Sequence, residues 1–397
     1  MKGVPRRKPD VICVAWDAFP QYAARLVGAF ARSVGEPVAV VATHPSVPIR
    51  GMEEVCGCDV TWIECGETRS IKDLIGEMPR CIFLGGWNLK PFARFRDQVR
   101  LNGGTAIVMC DSNWPLSCVN PLSFHWWRTF AVECAKSVRF RLRYRSKYDA
   151  FFVPGKAGVR LLRFYGVLKD KIFTGLYAAD NSLFFNGAPL AQRGKKVLYV
   201  GQLIKRKNVI RLARAFIKAN EDGDWTLDMY GSGPLKGELE SLAKNEGRDT
   251  MRIHGFLQPE ELAAKYREAR IFCLPSLVEQ WGLVVHEAAL SGCVLLLGNG
   301  VGAASDMLVA NHDGCGYVNG RTFNPHSTHD MEKALSYAMR MVDVELAAAN
   351  AASTSAAKAA SVCKFVDSAC ALTNLRKSCK STEIASRTTP TPTRHFA

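Results

Sequence analysis

A chain of 397 residues with a formal net charge of +15 has room for two domains of ordinary size, each with its own core. Its 48% hydrophobic content excludes a mainly disordered chain, and the lack of any run of about 18 uninterrupted apolar residues excludes a membrane-spanning helix. The cationic excess favours anionic partners: nucleic acid, an acidic membrane surface or phosphorylated ligands.

The basic start, MKGVPRRKPD, leads only into the short apolar run VICVAW before Asp17, which is too short for a secretory h-region. The expectation is a cytoplasmic protein, peripheral on the inner face of the membrane where it meets one. The fourteen cysteines are scattered through apolar runs (Cys13, Cys81, Cys110, Cys273, Cys293) and read as reduced core residues. Cys56, Cys58 and Cys65 cluster without a C-x-x-C pair or a matching distant His pair, so no metal site is expected.

In chain order, Asp10 to Ala15 reads as a buried strand and Gln21 to Ser33 as an amphipathic helix capped by Gly35. PVAVVAT, DVTWIEC, CIFLGG and TAIVMC are further strands, with helical patterns between several of them. Short apolar runs alternating with helices imply a parallel sheet covered on both faces, so the first domain is Rossmann-like. From His125 to Lys147 the character changes. Trp126, Trp127, Phe130, Val132 and Val138 interleave with Arg128, Lys136, Arg139, Arg141, Arg143, Arg145 and Lys147, and Glu133 is the only acid. Interfacial helices have this composition, so Arg128–Lys147 is a candidate contact with an anionic membrane surface; the plainer reading is a solvated helix whose aromatic side packs on the sheet. No nucleic-acid motif accompanies it, and nucleic acid is not expected as a partner.

YDAFFVPG is a sixth strand, KAGVRLLRFYGV a helix stopped at Gly166, and DKIFTGLYAADNSLFF a strand followed by a polar turn at Asp180-Asn181. NGAPLAQRGKK suits a linker. The strand series then restarts with KVLYVGQ, WTLDMY, MRIHGF, IFCLPS and VLLLGNG, with helices at Val209 to Asn220 and Leu235 to Asn245, so the second half is another parallel α/β domain. Asp330 to Met341 is an amphipathic helix, the Ala/Ser-rich run to Ala359 is helix-permissive, and the Ser/Thr/Pro-rich end is expected to be disordered.

Chemistry concentrates in Ile271 to Leu290. Glu279 and Glu287 lie eight positions apart across a strand-to-helix junction. At about 100° per residue, eight steps return a helix to within roughly 80° of its start, so both acids face one cleft if the helix begins near Glu279. Other loops at the same strand ends carry glycine or cation: Gly201 with Lys205, Arg206 and Lys207, then Gly231 and Gly233, then Gly298, Gly300 and Gly302. Backbone N–H groups, helix starts and an ammonium suit a negatively charged, hydroxyl-rich ligand such as a nucleoside diphosphate sugar.

The pieces VGQLIKRKN, YGSGP, IHGF, LPSLVEQWGLVVHEA, NGVGAASD and DKIFTGLYAADNSLF, spread from Tyr148 to Phe323, resemble in kind and order the retaining glycosyltransferases of family 4. The resemblance implies the GT-B fold, two Rossmann-like domains whose parallel sheets face across a cleft. Residues 1–187 would form the acceptor-binding domain and 188–360 the nucleotide-sugar domain, with a helix over 361–376 packing back on the first and a tail over 377–397. It also implies the transfer of a sugar from a nucleoside diphosphate donor to a carbohydrate or lipid-linked acceptor, with retention and without a metal or other cofactor.

Residue by residue, the resemblance implies that Lys207 binds the diphosphate beside Gly201 and Gln202, with Gly231 and Gly233 lining the donor pocket. Glu287 would hold the ribose hydroxyls, and Glu279 would attend the transferred sugar. Main-chain N–H groups of Trp281, Gly282 and Leu283 would contact phosphate or sugar. His286 reads as a packed histidine. Three positions depart from the family. Gln202 stands where arginine is usual. Asp17-Ala18-Phe19-Pro20 replaces a glycine-paired phosphate loop, and Pro20 has no N–H to give. Asp111-Ser112-Asn113 replaces a histidine, making Asp111 a candidate acceptor contact or base, with an N-cap or turn role the alternative. Two competing readings follow. One is a catalytically weak GT-B protein acting as a binding partner. The other is an NAD(P)-dependent oxidoreductase, suggested by Gly298, Gly300 and Ala303 in G-x-G-x-x-A form.

Overall fold

The computed structural model describes residues 11–44, 52–86, 90–111, 113–114, 124–247 and 249–375. The expectations for the N-terminal basic segment and for the tail over 377–397 concern residues outside them. The chain divides into two compact units. One runs to Met109 and takes in Lys147–Phe151 and the chain from Val366; the other holds Cys110–Ser146 and Phe152–Phe365.

The first half of the chain runs β1 (Ile12–Trp16), α1 (Gln21–Val34), β2 (Val38–Ala42), α2 (Met52–Cys56), β3 (Val60–Trp62), α3 (Ile71–Ile75), β4 (Cys81–Gly85), α4 (Lys90–Leu101), β5 (Thr105–Met109), α5 (Phe124–Arg143), β6 (Ala150–Val153), α6 (Lys156–Phe164) and β7 (Ile172–Thr174). Its seven-stranded sheet has the order β3-β2-β1-β4-β5-β6-β7. Every residue of β1, β5 and β6 is buried, as strands covered on both faces must be. The register is parallel, Ile12 lying beside both Val38 and Cys81. Gly35 ends α1 in the left-handed conformation, as its C-cap position requires.

The second half runs β8 (Lys196–Val200), α7 (Val209–Ala219), β9 (Thr226–Tyr230), α8 (Lys236–Glu246), β10 (Met251–Ile253), α9 (Pro259–Glu268), β11 (Ile271–Leu274), α10 (Leu283–Leu290), β12 (Val294–Gly298), α11 (Ala304–Met307), β13 (Gly320–Phe323), α12 (Thr328–Met339), α13 (Asp343–Ala359) and α14 (Val362–Thr373). Its six-stranded parallel sheet has the order β10-β9-β8-β11-β12-β13. Each sheet reverses direction of growth once, between β1 and β4 in the first and between β8 and β11 in the second. Open α/β sheets bind ligands at such a reversal, outside the carboxyl ends of the strands.

Three local expectations change. The helix carrying Glu287 begins at Leu283, not near Glu279, because Gly282 sits at φ 89° as its N-cap and breaks the chain's direction there. Glu279 therefore belongs to a loop, bridged to Val301, and the helical-wheel argument for the two acids does not apply. Second, α5 divides less cleanly than expected: Phe130 and Phe140 turn inward onto Phe164 and Tyr165 and the arginines outward, but polar groups are buried with the aromatics and apolar ones exposed with the cations. Its inward side buries Glu133, Ser137 and Phe140, with the Glu133 carboxylate taking the Tyr165 hydroxyl at 2.7 Å and Lys136 Nζ at 2.6 Å. Its outward side exposes Trp127, Val132, Val138 and Leu142 among the arginines, Leu142 at 78%. Third, α9 and β13 fall where no element is expected from the pattern.

Candidate functional site

The loops leaving β8 and β11 are joined at the reversal point of the second sheet. After Gly201, a single 3-10 turn spans Lys205–Lys207 and ends at Asn208 in the left-handed conformation. Asn208 Nδ2 is anchored on the Pro325 carbonyl at 2.7 Å, which fixes where the turn points. The Leu277 N–H donates to the Arg206 carbonyl at 2.9 Å, and Arg206 Nη1 donates to the Val278 carbonyl at 2.8 Å. This brackets Glu279. Its carboxylate receives the Lys207 ammonium, the Ser276 hydroxyl at 3.2 Å and the Arg206 guanidinium at 3.6 Å.

Lys207 and Glu279 are both largely buried, with side chains 10% and 13% exposed. A buried pair of this kind is held by mutual attraction against desolvation, so removing either partner strands the other. Lys205 and Arg206 stay exposed, which leaves Lys207 as the inward cation of the turn.

Glycine makes the close approach of the loops feasible. Gly201 and Gly231 lie at φ 149° and 150°, and a Cβ on Gly231 would strike the Gly201 carbonyl. A Cβ on Gly233 would strike the Leu203 backbone, which accepts from Leu235 N at 3.1 Å. Gly302 meets the Gln280 carbonyl in the same way, and Gly298 the Ser276 carbonyl at 2.8 Å. The glycines after β12 thus let that loop pass against the Glu279 loop. They lead only into the four-residue α11, away from the reversal point, which is not where a dinucleotide fingerprint places its phosphate.

Gln202 is exposed, and its carbonyl accepts from the Tyr199 hydroxyl at 2.8 Å. Trp281 is buried with its indole Nε1 unpartnered, and Leu283 opens α10, where the first N–H groups have no intrahelical acceptor. Glu287, a full turn further, does not join the Lys207 cluster. Its carboxylate is held by the Tyr266 hydroxyl at 2.8 Å, and burial pushes its carboxyl up to about 7 against that hydrogen bond. His286 is a packed histidine: Nδ1 accepts from Ala179 N at 3.0 Å, Nε2 faces the Ala357 carbonyl at 2.9 Å, and burial lowers its pKa to about 4.

Asp111 reaches solvent, yet its carboxyl is crowded by protein atoms. Burial and then the charge of Glu279 raise it to about 6, while the Tyr177 hydroxyl pulls it back. Asn113 is tied in more firmly. Its Nδ2 donates to the carbonyls of Glu279 at 2.8 Å and Gly300 at 2.9 Å, and its N–H donates to Gln280 Oε1 at 3.1 Å. Neither Asn113 nor Tyr266 stands out in the sequence as a site residue. Asn113 carries no motif, and Tyr266 sits in a charged helical stretch whose period places it only three positions from buried Ala263.

The loop after β1 is built differently. Ala18 N donates to Thr43 Oγ1 at 2.7 Å, Phe19 N donates to the Thr43 carbonyl at 3.2 Å, and the Thr43 hydroxyl donates to Asp17 at 2.6 Å. The N–H groups of Ala18 and Phe19 are thus committed inside the fold.

Two parallel-sheet α/β domains of this topology constitute a GT-B fold, the fold of known glycosyltransferases. Residues 181–353, somewhat under half of the chain, match the family described as Glycosyl transferases group 1. The D-inositol 3-phosphate glycosyltransferase of Corynebacterium kroppenstedtii is 32% identical over 193 residues, 42% of this chain and 43% of the relative. An uncharacterized glycosyltransferase of Methanocaldococcus jannaschii is 33% identical over 99 residues, 25% of each. The chain spans less than half the length of the curated relatives it matches. Among solved structures, HepE of Anabaena in complex with UDP and glucose superposes with a TM-score of 0.66 at 12% identity, over 94% of this chain and 100% of that one. At that identity the likeness concerns the fold.

Proposed function

We propose that the chain is a retaining family 4 glycosyltransferase that moves a sugar from a nucleoside diphosphate sugar to a carbohydrate or lipid-linked acceptor, in polysaccharide or glycolipid synthesis. The observation that carries this reading is the Lys207–Glu279 pair, buried among glycine-lined loops at the reversal point of the second sheet. The match to group 1 glycosyltransferases over this region, and the UDP and glucose held by a protein of the same fold, support it.

In this mechanism Lys207 exchanges Glu279 for the donor diphosphate, acting as a compact point charge. Arg206, already 3.6 Å from Glu279, supplies the second cation that Gln202 lacks. The N–H groups around Trp281, Gly282 and Leu283 take phosphate or sugar oxygens, Gly201, Gly231 and Gly233 give the donor room, and Glu287 accepts the ribose hydroxyls. Glu279 holds hydroxyls of the transferred sugar and eases positive charge at its anomeric carbon. The bond from that carbon to the phosphate oxygen breaks as the bond to the acceptor oxygen forms on the same face, and the leaving phosphate takes the acceptor's proton. No metal is required by this route. Asp111 serves the acceptor hydroxyl.

Incubation with UDP-, GDP- and dTDP-sugars tests the reading: one class should raise Tm and release its nucleotide, and the product should keep the donor's anomeric configuration by NMR. Stabilisation without turnover against any acceptor would leave a catalytically weak binding protein, a reading that the committed loop after β1 favours. No stabilisation by any donor would sink both.

The acceptor side is proposed to work at an anionic membrane surface. No described helix is long and apolar enough to cross a membrane, whereas α5 turns Trp127, Val138 and Leu142 outward beside Arg128, Arg139 and Arg143. Co-sedimentation with vesicles containing phosphatidylglycerol at low salt, lost in pure phosphatidylcholine and at high salt, is expected. Equal recovery in all three conditions would overturn it.

A further inference from the structure

Glu287 sits a full helical turn beyond the cluster built around Lys207, and its carboxylate is hydrogen-bonded from a different helix. Tyr266, on α9, is fully buried, with its ring edge-on to Phe184 at 5.6 Å and tilted on Phe272 at 5.7 Å. Its hydroxyl lies 2.8 Å from Glu287 Oε2 and 3.3 Å from the Val284 carbonyl. A phenol has one proton, and the nearer, charged acceptor takes it. The Tyr266 backbone is fixed as well: its carbonyl accepts from Cys293 Sγ at 3.4 Å and from Arg193 Nη1 at 3.5 Å, and Arg193 is itself buried. The tyrosine is therefore held on three sides and presents one donor to one oxygen of the acid.

We propose that Tyr266 is the positioning residue for donor recognition: its hydroxyl occupies Oε2 of Glu287 and turns the remaining lone pairs of the carboxylate toward the two neighbouring ribose hydroxyls of the nucleotide. This rests on the reading of Glu287 as the ribose ligand. A carboxylate offers about four acceptor directions, so one hydrogen bond fixes its plane and leaves enough for a diol.

The same hydroxyl governs the charge of the acid. Burial raises the Glu287 carboxyl to about 7, and the Tyr266 hydrogen bond is the influence that lowers it. The other titratable groups nearby are committed elsewhere or uncharged: Lys265 and Glu268 of α9 pair with each other at 3.3 Å, Asp306 of α11 receives Ser305 Oγ at 2.9 Å, and burial raises the thiols of Cys273 and Cys293. Lys358 of α13 lies along the cavity beside His286, whose two nitrogens already face backbone groups.

The test is calorimetric titration of the full chain with UDP and with 2′-deoxy-UDP between about pH 5.5 and about pH 8.5, using wild type, Tyr266→Phe, Glu287→Gln and the double variant. Wild type is expected to bind UDP more tightly as pH rises through about 7 and to prefer it over the deoxy form. Tyr266→Phe should weaken UDP roughly tenfold near neutrality, move the midpoint upward and narrow the preference. In the Glu287→Gln background the added Tyr266→Phe change should leave affinity almost unaltered. If Tyr266→Phe only lowers Tm while the pH profile and ribose preference stay wild-type, the inference is overturned and the reading of Glu287 stands. If wild type binds neither UDP nor GDP, or Glu287→Gln binds like wild type, that reading itself falls. Should Tyr266→Phe fail to fold, 3-fluorotyrosine at position 266, a stronger donor, must move the midpoint downward; an unmoved midpoint overturns the proposal.

Discussion

The loops after β1 and after β8 occupy equivalent places in two sheets whose strand orders match except for the additional β7, and only one of them has the makings of a donor site. After β1, Thr43 takes the N–H groups of Ala18 and Phe19, Asp17 takes the Thr43 hydroxyl, and Pro20 has no N–H. After β8, Gly201 permits a sharp exit and a 3-10 turn brings Lys207 against Glu279. A parallel α/β sheet supplies a crevice wherever its strand order reverses, but the residues placed there decide whether the crevice can hold an anion. Self-satisfied N–H groups stabilise a loop; a cation paired with a displaceable acid equips one.

The strongest way to break this contrast is to exchange the two loops' losses. Lys207→Met should weaken donor binding at least about a hundredfold and cost about 3 kcal/mol of stability, because it leaves Glu279 buried with only Arg206 and Ser276. Thr43→Val should cost about 1 kcal/mol of stability and leave donor affinity unchanged. Titration and thermal melts of both would decide; donor binding lost in Thr43→Val and kept in Lys207→Met would reverse the assignment. Next in size, Gly231→Ala should cost about 2 kcal/mol, since it forces a side chain into φ 150° and against the Gly201 carbonyl. It should also spoil donor binding by displacing the β8 loop.

A smaller effect is expected on stability against pH. The carboxyls of Glu287 (about 7) and Asp111 (about 6) are raised above their unfolded values. Their contribution is therefore full below about pH 4 and is lost as pH rises through 6 to 7. His286 opposes them. With its pKa lowered to about 4, it contributes stability above about pH 6.5 that is lost as pH falls. Glu287→Gln should flatten the decline in Tm between pH 5 and 7, and an unchanged slope would contradict the burial of that acid. The smallest effect should come from Gln202→Arg, which adds a cation at an exposed position of the equipped loop. Donor affinity should rise about two- to threefold at low salt, and the gain should vanish at high salt.

Much of the fold was legible because its strands are buried on both faces and appear as continuous apolar runs; Ile12–Trp16 and Val294–Gly298 cannot sit comfortably elsewhere. β13 was not legible, since Gly320–Phe323 is four residues long and only its two end residues are buried, which gives neither a continuous apolar run nor an alternation. α9 was hidden by its charges, although Pro259 and the Gln258–Glu261 capping box mark its start. Within the site, Lys207, Glu279, Glu287 and the glycines could be picked out as residue types at strand ends. Their arrangement could not, because Gly282 starts the helix four residues after Glu279 and puts the two acids in separate surroundings.

Local composition determined the class: apolar runs with short turns, a cationic excess, and glycine, lysine and carboxylate after the strands of the second half. Those properties belong to single segments, so they survive being read one window at a time. Tertiary structure alone decided that Lys207 neutralises Glu279, that Tyr266 grips Glu287 from 21 residues away, and that Thr43 closes the loop after β1. Each of these is a hydrogen bond or ion pair between distant parts of the chain, whose partners are chosen by strand order and helix packing and leave no periodic signal in the residues between them.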